Sequence, residues 1–353
     1  MLDWRWVCFS LVDGHVIGEV PKLIVPSIEH RMTEYTTATA QLPWDGIPDN
    51  FMDYIRVGAS CMCLVDEDDE PLWAGMVNNE ERALGADSIS LGLITLDGYM
   101  DRCHIGNHHY QNVAQTEIAR DLVQRFCIDG RSNCLRVQVD ADSSQLRIRD
   151  YLLSDNNYIY ELLQNLSNVQ NGIEWLMEIR HGGDGYYPLL RIADHIGATS
   201  PQASFDIDMI RDFKVKTDGT KEHCANNIMA ASTADGGQAT LSSWHRFSDI
   251  NRPVLDYSWT PNSGITDLRT LDAYAQAKLD AVKLGTHTVD FDLDFPNAPK
   301  PGLDWHIGDV VDWDCSMAVE RYPDAYTGSA RVVGWKLDLN TLTLTPYTNL
   351  SGE

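Results

Sequence analysis

The sequence predicts an α+β protein, mostly β, with two β-barrel-like domains flanking an α/β domain. Three observations predict it. Apolar residues alternate with polar ones through much of the first hundred and last seventy positions, the period of half-buried strands. Helical spacing of apolar residues is confined to three stretches, 113–126, 158–170 and 268–282. Glycine, proline or short polar turns separate most of these runs. A chain of 353 residues is long enough for about two or three cores. The expected division is an N-terminal β domain over 1–97, an α+β domain over 98–201, and a C-terminal β-barrel domain with one inserted helix over 202–353.

The N-terminal part reads strand by strand. Residues 4–24 form a hairpin turning at Asp13-Gly14-His15. Residues 28–42 alternate loosely and are rich in threonine, whose branched side chain suits a pleated strand. Pro43, Gly46 and Pro48 break the chain before a strand over 55–65. The acidic run Asp66, Glu67, Asp68, Asp69, Glu70 lies between the strand-like runs 61–65 and 72–77. It lacks the glycine and distal glutamate of an EF-hand calcium loop, so a solvated hairpin turn is expected. Residues 89–96 complete the domain.

From Gly98 the period changes to helical. Val113, Ile118, Ala119, Leu122, Val123 and Phe126 mark one buried face, which Gly130 ends. A second helix buries Ile159, Leu162, Leu163, Leu166 and Val169. Gly172 turns it into a strand over 173–179, and a glycine-rich turn over 181–187 leads to a return strand over 189–194. Segments 205–216 and 222–232 read as strands, with a Gly236-Gly237 turn following and a loop over 244–252. Leu268, Leu271, Ala275, Leu279 and Val282 define the third helix, expected to seat on the last barrel, and Gly285 stops it. Val289, Phe291, Leu293 and Phe295 alternate with Thr288, Asp290, Asp292 and Asp294. Val310-Val311 is a short apolar strand flanked by Trp305 and Trp313, and 332–339 faces Leu342 and Leu344 across Asn340-Thr341 as a hairpin.

In this order, the Tyr257-Ser258-Trp259 strand end, the helix with Leu271, Ala273, Tyr274 and Ala275, the Gly308-Asp309-Val310-Val311 strand and the strand over 331–338 resemble phage tail-tip or baseplate hub proteins. These are the minor tail proteins of siphophages, here actinobacteriophage-like. The Ile173-Glu174-Trp175 strand between glycine turns and Ala225-Asn226-Asn227 resemble the family as well. The resemblance implies a non-enzymatic structural subunit of the virion, assembled in the host cytoplasm and placed at the tail tip. It implies a trimeric ring capping the tail tube, in which two similar β domains per subunit match a threefold tip to a sixfold tube. Its partners would be further copies of itself, the tail tube or distal tail protein, the tape measure protein, and other tail-tip and receptor-binding proteins. DNA would pass without specific binding. Many relatives continue into receptor-binding or lytic modules, and no such module is expected within these residues.

The formal net charge of −25, from 52 acidic and 27 basic residues, opposes a DNA-gripping surface, which would need cations to displace counterions. It suits repulsion of a passing polyanion. Asp290, Asp292 and Asp294 share one strand side and are the candidate lumen-facing acidic residues. The start of the sequence has neither a basic leader nor an apolar run of signal-peptide length, and no run approaches the ~18 residues of a membrane span. The eight cysteines have no disulfide-framework spacing and read as free thiols, with Cys61 and Cys63 on one strand face.

Catalytic chemistry is weakly signalled. Cys103, His104, His108 and His109 are four potential metal ligands close together, but adjacent histidines point to different faces, and the expected structure is a polar loop. No nucleophile elbow, zincin, P-loop or dinucleotide motif occurs. No cofactor, metal site or catalytic residue is expected. Most of the ten tryptophans fall in strand-like runs suited to core packing, whereas Trp44 and Trp244 fall in loops and are candidate exposed contacts. The alternatives to a hub are a carbohydrate- or receptor-binding virion protein and a metal-dependent hydrolase using His104, His108 or His109.

Overall fold

The alternating stretches form strands, and the helical stretches form helices, in a computed structural model. It describes residues 4–169, 171–183, 185–233, 239–261, 267–315 and 327–349. The Gly236-Gly237 turn, and Gln170 and Asp184 within two of the expected elements, lie outside the described residues. The fold is mostly β, arranged in several sheets.

The N-terminal sheet has six antiparallel strands, in the order Val16–Glu19, Arg5–Ser10, Ser60–Val65, Pro71–Glu81, Ser88–Thr95, Thr37–Pro43. All six residues of Ser60–Val65 are buried. The pleat sends alternate side chains to opposite faces, and here both faces are covered. Trp6, Met62, Leu64 and Trp73 pack into one core with the C-terminal sheet, whereas Val7, Phe9, Cys61, Cys63 and Met76 pack into a second core with the central helices. Cys61 and Cys63 do share a face.

The C-terminal sheet runs Pro201–Asp206, Val310–Asp314, Thr327–Asp338, Thr343–Asn349, Thr286–Asp294, Ile210–Asp218. Its two edge strands are joined by the single turn Ile207–Met209. Three residues reach about 10 Å when extended, so the two edges must come near each other and the sheet must curl. Its interior agrees. Phe291 lies 6.0 Å from Trp313 and 5.4 Å from Phe205, ring centre to ring centre, although these strands are not neighbours in the sheet.

Neither large sheet closes into a barrel, which corrects the expectation. No ladder joins the edge strands of the C-terminal sheet among the described residues. In the N-terminal sheet no ladder joins the two edge strands among the described residues; Ile24, just past the Val16–Glu19 edge, makes a single bridge with Gln41 on the other, with N–H to O distances of 2.9 and 2.8 Å. The chain between those edges leaves for another partner. Ser27–Arg31 pairs antiparallel with Thr327–Asp338, so a strand from the N-terminal stretch becomes part of the C-terminal sheet. Alternation shows that a segment is a strand but not which strand it joins.

Against the other face of the N-terminal sheet lie the helices Gln115–Val123 and Ile159–Ser167 and the sheet Glu174–Gly182, Gly185–Ala193, Arg136–Val139. A two-stranded ribbon, His108–Ala114 with Leu146–Tyr151, flanks them. His108 and His109 therefore lie on a strand rather than in the expected loop. Val113 also belongs to that strand, which ends where the helix begins.

The helix Leu268–Val282 does not seat on the C-terminal sheet. It covers a separate small sheet built on Asn227–Thr233, with Ala239–Leu241, His245–Arg246 and Asp256–Trp259 alongside. Leu271, Ala275, Leu279 and Val282 pack there against Ala225, Ile228 and Ala230, while Leu268 stays half exposed. The stripe was legible because its period is intrinsic, but its partner is a tertiary choice. Asp267 caps the helix by accepting from the Thr270 N–H at 2.9 Å, and Gly285, at φ +91°, ends it. The expected strands are also trimmed: 205–216 breaks at Ile207–Met209, and the strand of 222–232 starts at Asn227.

Replacing Leu271, which is fully buried, with aspartate should strip about 2–4 kcal/mol from the small module. Hydrogen exchange would show the loss first in Asn227–Thr233 and the helix. Unchanged protection there would mean the helix is not docked on that sheet.

Arg331 holds the parts together. Its guanidinium donates to both Glu174 carboxylate oxygens, at 2.6 and 2.5 Å, and to the carbonyls of Ile196 and Gly308, at 2.6 and 2.9 Å. Arg331→Met leaves a mostly buried carboxylate without its cation. We expect a loss of about 2–4 kcal/mol in urea unfolding, partly recovered by adding Glu174→Leu. A single-variant loss within experimental error would refute the role.

Candidate functional site

The strand Thr286–Asp294 puts Phe291 and Leu293 into the core and Asp290, Asp292 and Asp294 on the opposite, partly exposed face. The face is not purely acidic. The neighbouring strand Ile210–Asp218 lays cations beside it, so Lys216 pairs with Asp290, Arg211 with Asp294 and Lys214 with Asp212. Asp294 also accepts from the Asn297 amide, and Asp292 from the Thr345 hydroxyl at 2.5 Å. Exposed ion pairs of this kind contribute about 0–1 kcal/mol each. Their larger effect is to balance charge along the face. Sequence reasoning found the aspartates from their period but missed the cations, which lie some eighty positions away.

Trp44 and Trp244 are 44% and 48% exposed. Trp44 follows the edge strand Thr37–Pro43 of the N-terminal sheet, in the short turn Trp44–Gly46, and its indole N–H donates to the Ala86 carbonyl. Trp244 stands beside His245–Arg246 in the small sheet. They lie on different sheets. Of the tryptophans expected in the core, Trp6, Trp73, Trp175, Trp313 and Trp335 are buried.

The Cys103–His109 cluster divides among separate tasks. The Cys103 thiol donates to the Tyr99 carbonyl, and the His104 ring stands edge-on to Tyr158. His108 approaches Asp121 at 3.4 Å, and His109 bonds Asp150 across the ribbon. Among the described residues, no group of three or more His, Cys, Asp or Glu is arranged to hold a metal ion. Among them too, no helix is long and apolar enough to cross a membrane.

Two features escaped the sequence. The first is a cavity of about 520 Å³ at the junction of the three main sheets. Its walls include Trp4, Leu72 and Trp73 from the N-terminal sheet, Leu176 from the central sheet, and Leu303 and Ile307 from the C-terminal part. The acidic run 66–70, a turn as expected, stands at its rim. Asp66 folds the turn by accepting from the N–H groups of Asp68 and Glu70, at 3.0 and 2.8 Å. In the wall, His30 donates Nε2–H to the Met177 carbonyl at 2.8 Å, and burial lowers its pKa so that the neutral ring is the form held. No sequence period marks such a cavity, because its walls are distant in the chain.

The second is Asp97, buried where the N-terminal sheet turns into the central part, with its Oδ1 lacking a hydrogen-bond partner among the described residues. Burial raises its pKa to about 7, against the lowering effect of the Thr95 hydroxyl and the N–H groups of Asp97 and Gly98, and Glu34 adds a small further rise.

No family model matches the sequence, and no curated protein matches it. The fold has solved counterparts. It is similar to the 43 kDa tail protein of prophage MuSo2 from Shewanella oneidensis, with a TM-score of 0.62 at 14% identity over 98% of this chain and 98% of that one. It is similar to the tail protein from Neisseria meningitidis MC58, with a TM-score of 0.60 at 12% identity over 98% and 96% of the two chains. A third counterpart is prophage tail protein gp18 from Listeria monocytogenes EGD-e, with a TM-score of 0.52 at 11% identity over 99% and 95%. The chain thus has a phage tail-protein fold from end to end.

Asp97 gives a pH test. A carboxyl whose folded pKa exceeds its unfolded value of about 3.9 binds its proton more tightly in the native state. Its contribution to stability is full below about pH 4 and is lost as pH rises through 7. Asp97→Asn should therefore stabilise the protein at pH 8 by about 1–3 kcal/mol and flatten the stability profile between pH 5 and 8. An unchanged profile would mean that burial does not raise the Asp97 pKa and that its carboxylate is already ionised in both the folded and unfolded protein across that range.

Proposed function

We propose that this chain is a non-enzymatic structural subunit of a phage tail, forming a trimeric hub ring that caps the tail tube at the tip. The observation that carries the reading is the end-to-end similarity to tail proteins. For two of them it covers 98% of this chain and 98% and 96% of theirs, rather than one shared module. The two large curled sheets support the ring: three subunits carry six of them, a match to a sixfold tube. In that position the subunit meets the tube or distal tail protein, the tape measure protein, and tip and receptor-binding proteins. Trp44 and Trp244, exposed on separate sheets, suit contacts to different neighbours better than one sugar-stacking platform.

DNA passage agrees with the net charge of −25, since DNA is held by cations that release its counterions. Asp290, Asp292 and Asp294 remain the candidate lumen face. Their ion pairs make that face a mosaic of charges, so repulsion of DNA rests on the acidity of the whole subunit.

The test is location and copy number. Gold-labelled antibody to this chain should mark the tip of purified tails, and quantitative peptide mass spectrometry should give three copies per tail. Absence from tails, or a copy number like that of the tube protein, would refute the hub.

A further inference from the structure

We propose that Cys103 and Cys127 are a redox pair, closed to a disulfide by a peroxide and reopened by a thiol. The pair lies outside the hub reading and does not depend on it.

Cys103 follows the turn Leu96–Arg102, by which the chain leaves the N-terminal sheet, and its N–H donates to the Met100 carbonyl. Cys127 lies in the π-helical turn Gln124–Ile128 that closes the helix Gln115–Val123. Such wide turns recur at functional sites. Both residues are fully buried in the core shared by the N-terminal sheet and the central helices. There the Cys127 thiol donates to the Cys103 sulfur, so the two are in contact. Neighbouring bonds hold them in place. The Cys103 thiol donates to the Tyr99 carbonyl at 3.5 Å. The Asn133 amide donates to the Tyr99 hydroxyl at 3.2 Å and to the Cys127 carbonyl at 2.7 Å. No other two cysteines are joined by a hydrogen bond among the described residues.

The shared proton divides the roles. The bond from Cys127 holds the Cys103 thiol below the usual thiol range against the effect of burial, and Arg131 adds to the lowering. The same bond, with burial, pushes Cys127 up. Cys103 is therefore the attacking sulfur and Cys127 the resolving one. The Cys103 sulfur attacks one oxygen of hydrogen peroxide, so an S–O bond forms, the O–O bond breaks, and hydroxide takes the Cys103 proton as water. Cys127 then attacks the Cys103 sulfur. An S–S bond forms, the S–O bond breaks, and a second water carries off the Cys127 proton. The two thiols lose two electrons, which the peroxide accepts. Access runs through the exposed loop 129–132, which carries Arg131 and holds Gly130 and Ser132 in the left-handed region, at φ +68° and +48°. Local opening of such a loop admits so small an oxidant. Once closed, the disulfide ties the exit of the N-terminal sheet to the end of the central helix, in oxidising surroundings but not in reducing ones.

Peroxide treatment of the folded protein tests the pair. Peptide mapping without reductant should show Cys103 joined to Cys127, and dithiothreitol should reverse the link. Cys63 and Cys315, buried as deeply but without a hydrogen-bonded thiol, should stay reduced. Oxidation should raise the melting temperature by a few degrees, because a closed loop constrains the unfolded chain. Cys127→Ala should lose that rise, and its Cys103 should stop at sulfenic acid, trapped by dimedone. Each protein is compared with its own reduced form, so a change in baseline stability does not enter. A wild type that forms no Cys103–Cys127 link while folded, or that links other cysteines, would overturn the pair. So would a link that leaves the melting temperature unmoved, or a Cys127→Ala variant that keeps the rise.

Discussion

The arrangement depends on one part-buried ion pair, Arg331 with Glu174. Both side chains are about four-fifths covered, at 18% and 21% exposure, so neither charge could be sheltered cheaply alone. Arg331 comes from the C-terminal sheet and Glu174 from the central one. The Glu174 carboxylate also accepts from the Ile196 N–H at 2.7 Å, and the arginine touches the Met32 sulfur at 3.9 Å. Four distant stretches thus meet at one planar cation. Beside them, segment 196–198 passes so close to the turn at 306–309 that a Cβ on Gly197 or Gly308 would overlap backbone of the other. Asp309 completes the junction by accepting from the N–H groups of Ala198 and His306. Glycine permits the approach, and the buried charges reward it.

The same economy appears in the N-terminal sheet. It is a middle layer, with one face on the C-terminal core and the other on the central helices. That is why Ser60–Val65 reads as an almost unbroken apolar run, as strands covered on both faces do. The swapped strand Ser27–Arg31 adds a ladder across the boundary. A chain built this way couples its two large sheets directly, without relying on a flexible linker.

Charges on the Asp290 face are matched within the chain by cations of the neighbouring strand, as Asp69 of the 66–70 turn is matched by Arg5. Local sequence could not show this, since whether an aspartate is matched depends on a strand far away in the sequence.

The sequence by itself determined the mostly β class, the three helical stripes, the hairpin at Asn340-Thr341, the acidic turn, the shared face of Cys61 and Cys63, and the sidedness of Asp290, Asp292 and Asp294. Each is a periodic or turn signal set by the local backbone, and each survives whatever packs against it. Tertiary structure alone decided that the large sheets curl without closing, that Ser27–Arg31 crosses to the C-terminal sheet, and that the Leu268–Val282 helix covers a separate small sheet. It also decided that His108 and His109 stand on a ribbon and that a cavity opens between three sheets. An apolar stripe states that a face must be buried but not against what. That choice is made by the volumes, edges and charges of segments remote in the chain, which no local window contains.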